Sequence, residues 1–252
     1  MTETTPAAPA RTKAKERLIV ALDVDHTEAA RRLVDELGEF TGAFKVGLQL
    51  FTADGPKFVR ELCDSGRRVF LDLKFHDIPN TVAKAGVEAA RLGVWMFNVH
   101  ATGGNEMMRR VVYEVGEACE NESIRRPKII GVTVLTSSSD DTLRDIGIEA
   151  SVGDHVVRLA RLSKEAGLDG VVASAHEAEN IRRECGNDFI IVTPGVRPND
   201  DTNDDQKRVM TPKDAITAGA DYLVVGRPIT MATDRAAAAA KILKDISEEI
   251  DE

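Results

Sequence analysis

The sequence predicts an α/β fold, a single (β/α)8 barrel, and three observations carry the prediction. From Leu18 onward, short runs rich in Val, Ile, Leu and Phe alternate with longer segments whose apolar residues recur every three or four positions. The alternation repeats eight times. Polar and charged residues collect where the short runs end, which is where the mouth of such a barrel would be. Strands that alternate with helices pair in parallel through right-handed crossovers. An open doubly wound sheet is the alternative. It would need a glycine-rich phosphate loop after its first strand, and Ala21-Leu22-Asp23-Val24-Asp25 contains no glycine.

The chain has 252 residues and no visible internal boundary, a length that α/β barrels often reach as one domain. With 42% hydrophobic residues but only 4% aromatic, aliphatic side chains must supply most of the burial. Residues 1–16, MTETTPAAPARTKAKE, are rich in Thr, Ala and Pro and read as a disordered tail, leaving 17–252 for the barrel. The tail has no hydrophobic signal core, and no apolar run approaches the length of a membrane span. We therefore expect a cytoplasmic protein with no membrane partner. The net charge of -9, with Lys and Arg scattered among acidic residues, argues against a nucleic-acid partner. Cys63, Cys119 and Cys185 are far apart and lack metal-ligand spacing, as expected of thiols in a reducing compartment.

The elements follow in order. The first strand, 18–23, ends in Asp23. Helix 28–37 gathers Ala29, Ala30, Leu33, Val34 and Leu37 on one face, and Gly38 stops it. The second strand, 43–47, carries Lys45 between Ala43 and Gly47, small neighbours that leave room for a long side chain to extend inward. The third, 68–74, is apolar through Val69-Phe70-Leu71 and then bears Asp72 and Lys74, with Asp77 in the following loop. Side chains two apart share a face of a strand, so Asp72 and Lys74 should point the same way as Phe70. Charge at the end of a buried strand costs free energy unless it is paired. An ion pair that merely closes the strand would account for an isolated Asp-x-Lys. Charges from several strands aimed at one mouth favour chemistry.

The fourth strand, 94–100, ends in His100, and the fifth, 128–135, runs into Thr136-Ser137-Ser138-Ser139. Helix 151–166 carries Val152, His155, Val156, Leu159 and Leu162 on its apolar stripe. The sixth and seventh strands are 170–173 and 189–193. The loop that follows, TPGVRPNDDTNDDQKRVMTP, is too long and polar for a simple connector. Its Asp200, Asp201, Asp204 and Asp205 read as the solvated outer side of a lid. The eighth strand, 222–225, leads into Gly226 and Arg227. Glycine admits a ligand close to the backbone, and the guanidinium fork suits phosphate oxygens. Elsewhere Gly-Arg-Pro would be an ordinary turn. Loops after strands seven and eight are where barrel enzymes often hold a phosphate. Helix 234–250 closes the barrel. Of the histidines, His26, His155 and His176 read as helix or turn residues. His76 reads as a loop residue near an interface, and His100 as a structural hydrogen-bonding group at the mouth. None forms a metal-ligand pattern.

These motifs resemble orotidine 5′-phosphate decarboxylase of the bacterial type. The resemblance is carried by ALD at 21–23, FKVG at 44–47, DLKFHDIPNT at 72–81, VTVLTS at 132–137, TPGVRP at 193–198, DQKRVMTP at 205–212 and VVGRPIT at 224–230. It extends from Leu18 to about Ile246 and leaves out the tail. It implies a homodimer acting on orotidine 5′-monophosphate. Lys74 would give a proton to carbon 6 of the pyrimidine, and Asp72 would sit beside the departing carboxylate. Asp77 and Thr81 would reach into the neighbouring subunit's site. Asp23 and Lys45 would contact the ribose hydroxyls, with Lys45 also part of the charged array. Thr136 and Ser137 would lie near the base, and Arg197, Gln206, Gly226 and Arg227 would hold the phosphate.

Loss of carbon dioxide from the ring leaves electrons on carbon 6 with little conjugation. No cofactor or metal motif is visible, so fixed protein charge would have to stabilise the carbanion. Carboxylates flanking Lys74 favour its ammonium form. The nearest alternative is a magnesium-dependent sugar-phosphate decarboxylase or synthase on the same barrel, which stabilises an enediolate on a metal. A sugar-phosphate isomerase or epimerase and a non-catalytic nucleotide-binding barrel are further alternatives.

Overall fold

The computed structural model describes residues 8–197 and 210–250. Eight parallel strands close on themselves in sequence order. They are β1 (Leu18–Ala21), β2 (Ala43–Gly47), β3 (Val69–Phe75), β4 (Met96–His100), β5 (Lys128–Val132), β6 (Gly170–Val172), β7 (Ile190–Pro194) and β8 (Tyr222–Val225). Closure is made by β1 against β8, with Leu18 opposite Leu223 and Val20 opposite Val225.

Both faces of each strand are apolar because helices cover the outside and the barrel interior is packed. Alternation sorts the residues. Ile19, Ala21, Ala43, Phe70, Met96, Ile130, Val192 and Val224 fill the interior. Leu18, Val20, Phe44, Leu71, Phe97, Ile129, Val171 and Leu223 face outward into the layer beneath the helices. Helix Thr27–Leu37 buries Ala30, Leu33, Val34 and Leu37 there, as its spacing predicts. At the N-terminal ends of the strands, Trp95 meets Tyr222 edge-on with ring centroids 5.1 Å apart. The Arg68 guanidinium lies over the same indole, 4.9 Å from its centroid.

Three strand boundaries differ from expectation by more than one residue. β1 ends at Ala21, so Asp23 stands on the loop after the strand. β4 begins at Met96 rather than at 94. β5 ends at Val132 because its partner β6 is only three residues long; Thr133 makes a last bond to the Val172 carbonyl before the ladder runs out. The N-terminal expectation differs too. Where a disordered tail to residue 16 was expected, Ala8–Arg17 is helical. Ala14 is fully buried, and the helix lies against the closing helix Arg235–Ile250. Lys, Glu and Ala near its end are strong helix formers, a local preference that the Thr- and Pro-rich composition of the whole tail conceals. Residues 1–7 of the expected tail lie outside the described residues.

Cys119 and Cys185 are buried, Cys63 is half-buried, and all three are free. Burial, with Asp64 adding to it, pushes the Cys63 thiol up to about 11, so it is no reactive thiolate. Among the described residues no helix is long and apolar enough to cross a membrane.

Candidate functional site

The C-terminal ends of the strands surround a cavity of about 830 Å³. One wall is charged, and its charges come from successive strands. Lys45 of β2 is only 8% exposed and runs inward. Its Nζ donates to Asp23 Oδ1 at 2.8 Å and lies 3.4 Å from Asp72 Oδ2. A Cβ built on Gly47 would come within 3.1 Å of that Nζ and 3.3 Å of Asp23 Oδ1, which shows how fully the ammonium fills the space beside the glycine. Burial opposes the charge on Lys45. Asp72 and then Asp23 outweigh it, and the pKa stands above the ordinary lysine value. Lys45 is therefore a permanent cation.

β3 supplies the next pair, by an irregular route. Leu71 pairs with Phe97, and pairing resumes only at Phe75 with Val99. Four steps along β3 thus match two along β4, a bulge of the kind that re-aims side chains next to active sites. Within it Lys74 adopts a φ of 53°, in the left-handed region that a residue with a Cβ occupies at a cost. Asp72 and Lys74 both line the cavity with Phe70, as their spacing predicts, but a bulge and not a regular strand puts them there. Lys74 Nζ donates to Asp72 Oδ1 at 2.7 Å. Asp23, Lys45, Asp72 and Lys74 form a row of alternating sign, and each ammonium has a carboxylate partner.

Sequence reasoning missed Asn98. It is fully buried in β4, its Nδ2 donates 2.7 Å to Asp72 Oδ1, and its Oδ1 accepts from the Lys74 backbone N–H at 2.8 Å. The signal was present: a lone amide in the apolar run Met96-Phe97-Asn98-Val99 must find hydrogen bonds if it is buried.

The other expected residues divide into three groups. Thr136 and Ser137 line the cavity beyond β5, and Arg197, Gly226 and Arg227 line it beyond β7 and β8. Arg197 is 7% exposed, and its backbone N–H donates to the Met210 carbonyl at 3.0 Å, which joins the two ends of the 198–209 segment. Arg227 is exposed at the start of the short helix Arg227–Thr230. A Cβ built on Gly226 would meet Ala21 Cβ at 3.5 Å and Asp23 Oδ2 at 3.8 Å, so this backbone approaches the cavity beside Asp23. Asp77 and Thr81 do not line the cavity. Asp77 is exposed and its Oδ1 accepts from the Ile78 N–H at 2.6 Å, while Thr81 is exposed in the first turn of helix Pro79–Arg91. Within one chain Lys74 is held by one carboxylate, Asp72, and not by two. Gln206 and the four lid aspartates lie outside the described residues.

His100 ends β4, and its ring lies 5.5 Å from that of His76. Burial lowers its pKa, as do His76 and Lys74, against the opposing pull of Asp72. The structural hydrogen bond expected of it is not made among the described residues. His155 is buried on its helix with neither ring nitrogen hydrogen-bonded among them. No three His, Cys, Asp or Glu side chains among the described residues are grouped as ligands of a cation would be.

The model of the family described as "Orotidine 5'-phosphate decarboxylase / HUMPS family" matches residues 16–242. The orotidine 5'-phosphate decarboxylase of Geobacter metallireducens is 54% identical over 236 residues, covering 94% of this chain and 98% of that protein. The enzyme of the same name from Geobacter sulfurreducens is 55% identical over 236 residues, with the same coverage of 94% and 98%. Among solved structures, orotidine 5'-phosphate decarboxylase from Lactobacillus acidophilus superposes with a TM-score of 0.81 at 38% identity, covering 91% of this chain and 98% of the other. An uncharacterized conserved protein from Geobacillus kaustophilus gives a TM-score of 0.79 at 36% identity, with coverage of 91% and 99%.

Proposed function

The chain belongs to the orotidine 5′-phosphate decarboxylase / HUMPS family, and from that premise we propose that it converts orotidine 5′-monophosphate to uridine 5′-monophosphate and carbon dioxide in pyrimidine biosynthesis. It is a carboxy-lyase that works without a cofactor or metal. We place it in the cytoplasm, where free thiols such as those of Cys63, Cys119 and Cys185 persist. The observation that carries the reading is the alternating row Asp23–Lys45–Asp72–Lys74 facing the same cavity as Arg197 and Arg227.

The phosphate binds Arg197, Gln206, Gly226 and Arg227. The ribose hydroxyls meet Asp23 and Lys45, and the base lies by Thr136 and Ser137. The pyrimidine then lies over Lys74. The bond from carbon 6 to the carboxylate breaks, and its electron pair stays on carbon 6. The ammonium of Lys74, fixed in advance, stabilises that charge without reorganising and then transfers a proton to carbon 6. Asp72 orients the ammonium. Lys45, 3.4 Å from Asp72 Oδ2, holds the other oxygen of that carboxylate.

The working unit is a homodimer, with Asp77 and Thr81 of one chain completing the site of its neighbour. Their exposure, and that of Ile78 between them at 66%, suits a face covered by a second copy. Mixing inactive Lys74→Ala subunits with inactive Asp77→Ala subunits should restore up to one intact site per hybrid dimer. No recovered turnover in isolated hybrids would place each site wholly within one chain.

The direct test is the absorbance of orotidine 5′-monophosphate after addition of metal-stripped protein. Loss of absorbance that survives a chelator is expected. Activity that appears only with magnesium and on a sugar phosphate would favour the metal-dependent relatives instead. That chemistry needs carboxylates free to bind a cation, and Asp23 and Asp72 are both engaged by Lys45.

A further inference from the structure

We infer that Asn98 is a positioning residue for the decarboxylation, a staple across the β3 bulge that sets where Asp72 and Lys74 stand. The assay of this role rests on the proposed reaction, while the staple itself can be tested without it. Between Leu71 and Phe75 the backbone of β3 has no register partners on β4. A buried N–H in that gap still needs an acceptor. For Lys74 the acceptor is not a β4 carbonyl but the Asn98 side chain, at 2.8 Å. One planar amide thus replaces a missing rung and fixes the residue that stands at φ 53°.

The other end of the amide does a different job. Asp72 Oδ1 accepts both the Asn98 Nδ2 at 2.7 Å and the Lys74 Nζ at 2.7 Å, while Oδ2 faces Lys45. Without the amide, Asp72 would be free to pivot between two ammonium groups. With it, the carboxylate plane is set, and the Lys74 ammonium is tied to the same oxygen that holds its own backbone through Asn98. A carboxamide places a donor for the carboxylate and an acceptor for the N–H on two separate atoms of one plane. Leucine would leave the Lys74 N–H unpaired in a buried gap. Aspartate would keep the acceptor but set a second carboxyl against Asp72.

Two variants of the full chain separate this role from that of a merely satisfied core amide. In Asn98→Leu, hydrogen exchange at the Lys74 amide should rise at least about tenfold while the flanking strands keep their protection. Its kcat should fall about 100-fold, the scale of a misplacement of roughly 1 Å, with KM and uridine 5′-monophosphate affinity within about threefold of the parent. In Asn98→Asp the new carboxyl and Asp72 share a site, so one of them takes up a proton more readily than an isolated carboxyl would. Lys45, Lys74 and Asp23 also face the pair, with His100 further along β4. The protonated form can again donate to Asp72. Its kcat should therefore recover relative to the parent as pH falls, a trend that a purely structural defect would not produce.

Should Asn98→Leu fail to fold, Asn98→Asp matches the parent in size and carries the kinetic test, while Asn98→Ala, which also lacks the acceptor, carries the exchange test. Unchanged exchange at Lys74 in the variant that lacks the acceptor, or a kcat within threefold of the parent in the folded variants, would overturn the inference. So would a loss confined to KM, or an Asn98→Asp pH profile parallel to the parent's. If the parent itself leaves orotidine 5′-monophosphate untouched, the proposed reaction fails, and the exchange experiment still decides whether the staple exists.

Discussion

Lys74→Ala should lower kcat by at least roughly 10³-fold, since in the proposed reaction it removes a preorganised charge and the proton donor together. The fold should survive. The Lys74 side chain is 27% exposed, so its loss opens no deep cavity. Asp72 keeps Asn98 at 2.7 Å and Lys45 at 3.4 Å, so no buried carboxylate is abandoned. Alanine carries the same Cβ at φ 53° as lysine, so the backbone strain is unchanged. Turnover by absorbance, thermal melting by circular dichroism and uridine 5′-monophosphate affinity should all be measured on the same preparation. Near-parental turnover would remove Lys74 from the mechanism. A collapsed melting curve would mean that the charged row is a structural device.

Arg227→Ala should lower kcat/KM by about 10²-fold, the scale of a lost hydrogen bond between charged groups, and change stability by less than about 0.5 kcal/mol. The contrast follows from exposure: Arg227 lines the cavity but is open to solvent at the start of its short helix. Binding energy at the far end of a substrate can be used to assemble the reacting end, so part of the loss should appear in kcat. Orotidine, which lacks the phosphate, supplies the control. Variant and parent should process it at the same slow rate, because the missing partner has already removed the interaction. A variant that is equally impaired toward orotidine would show that Arg227 acts on something other than the phosphate.

The barrel was legible because each strand is apolar on both faces and each helix has one apolar stripe, which only helix-covered parallel strands reconcile. Lys45 was legible from its two small neighbours. Its Nζ lies against the space a Gly47 side chain would occupy. Asp72 and Lys74 were given the correct face by alternation, although alternation is not the cause. The bulge depends on the register between β3 and β4, a relation between residues some 25 positions apart that no local pattern records. For the same reason Asn98 looked like an interruption in a strand and not like the partner of Lys74. Strand ends were misjudged where a neighbour set them, as the three residues of β6 do for β5. The pairing of Lys74 with two carboxylates was read from closeness in sequence. In space Asp77 turns away to its own Ile78 N–H.

The packed interior has a consequence for traffic. Phe70, Met96, Ile130 and Val192 plug the barrel beneath the cavity, and Trp95, Tyr222 and Arg68 stopper its far end. Among the described residues, this stack fills the barrel beneath the cavity. In the proposed reaction, the carbon dioxide set free would leave by the portal through which the nucleotide came in. Whatever covers that portal would then also govern how long carbon dioxide stays within reach of the proposed carbanion.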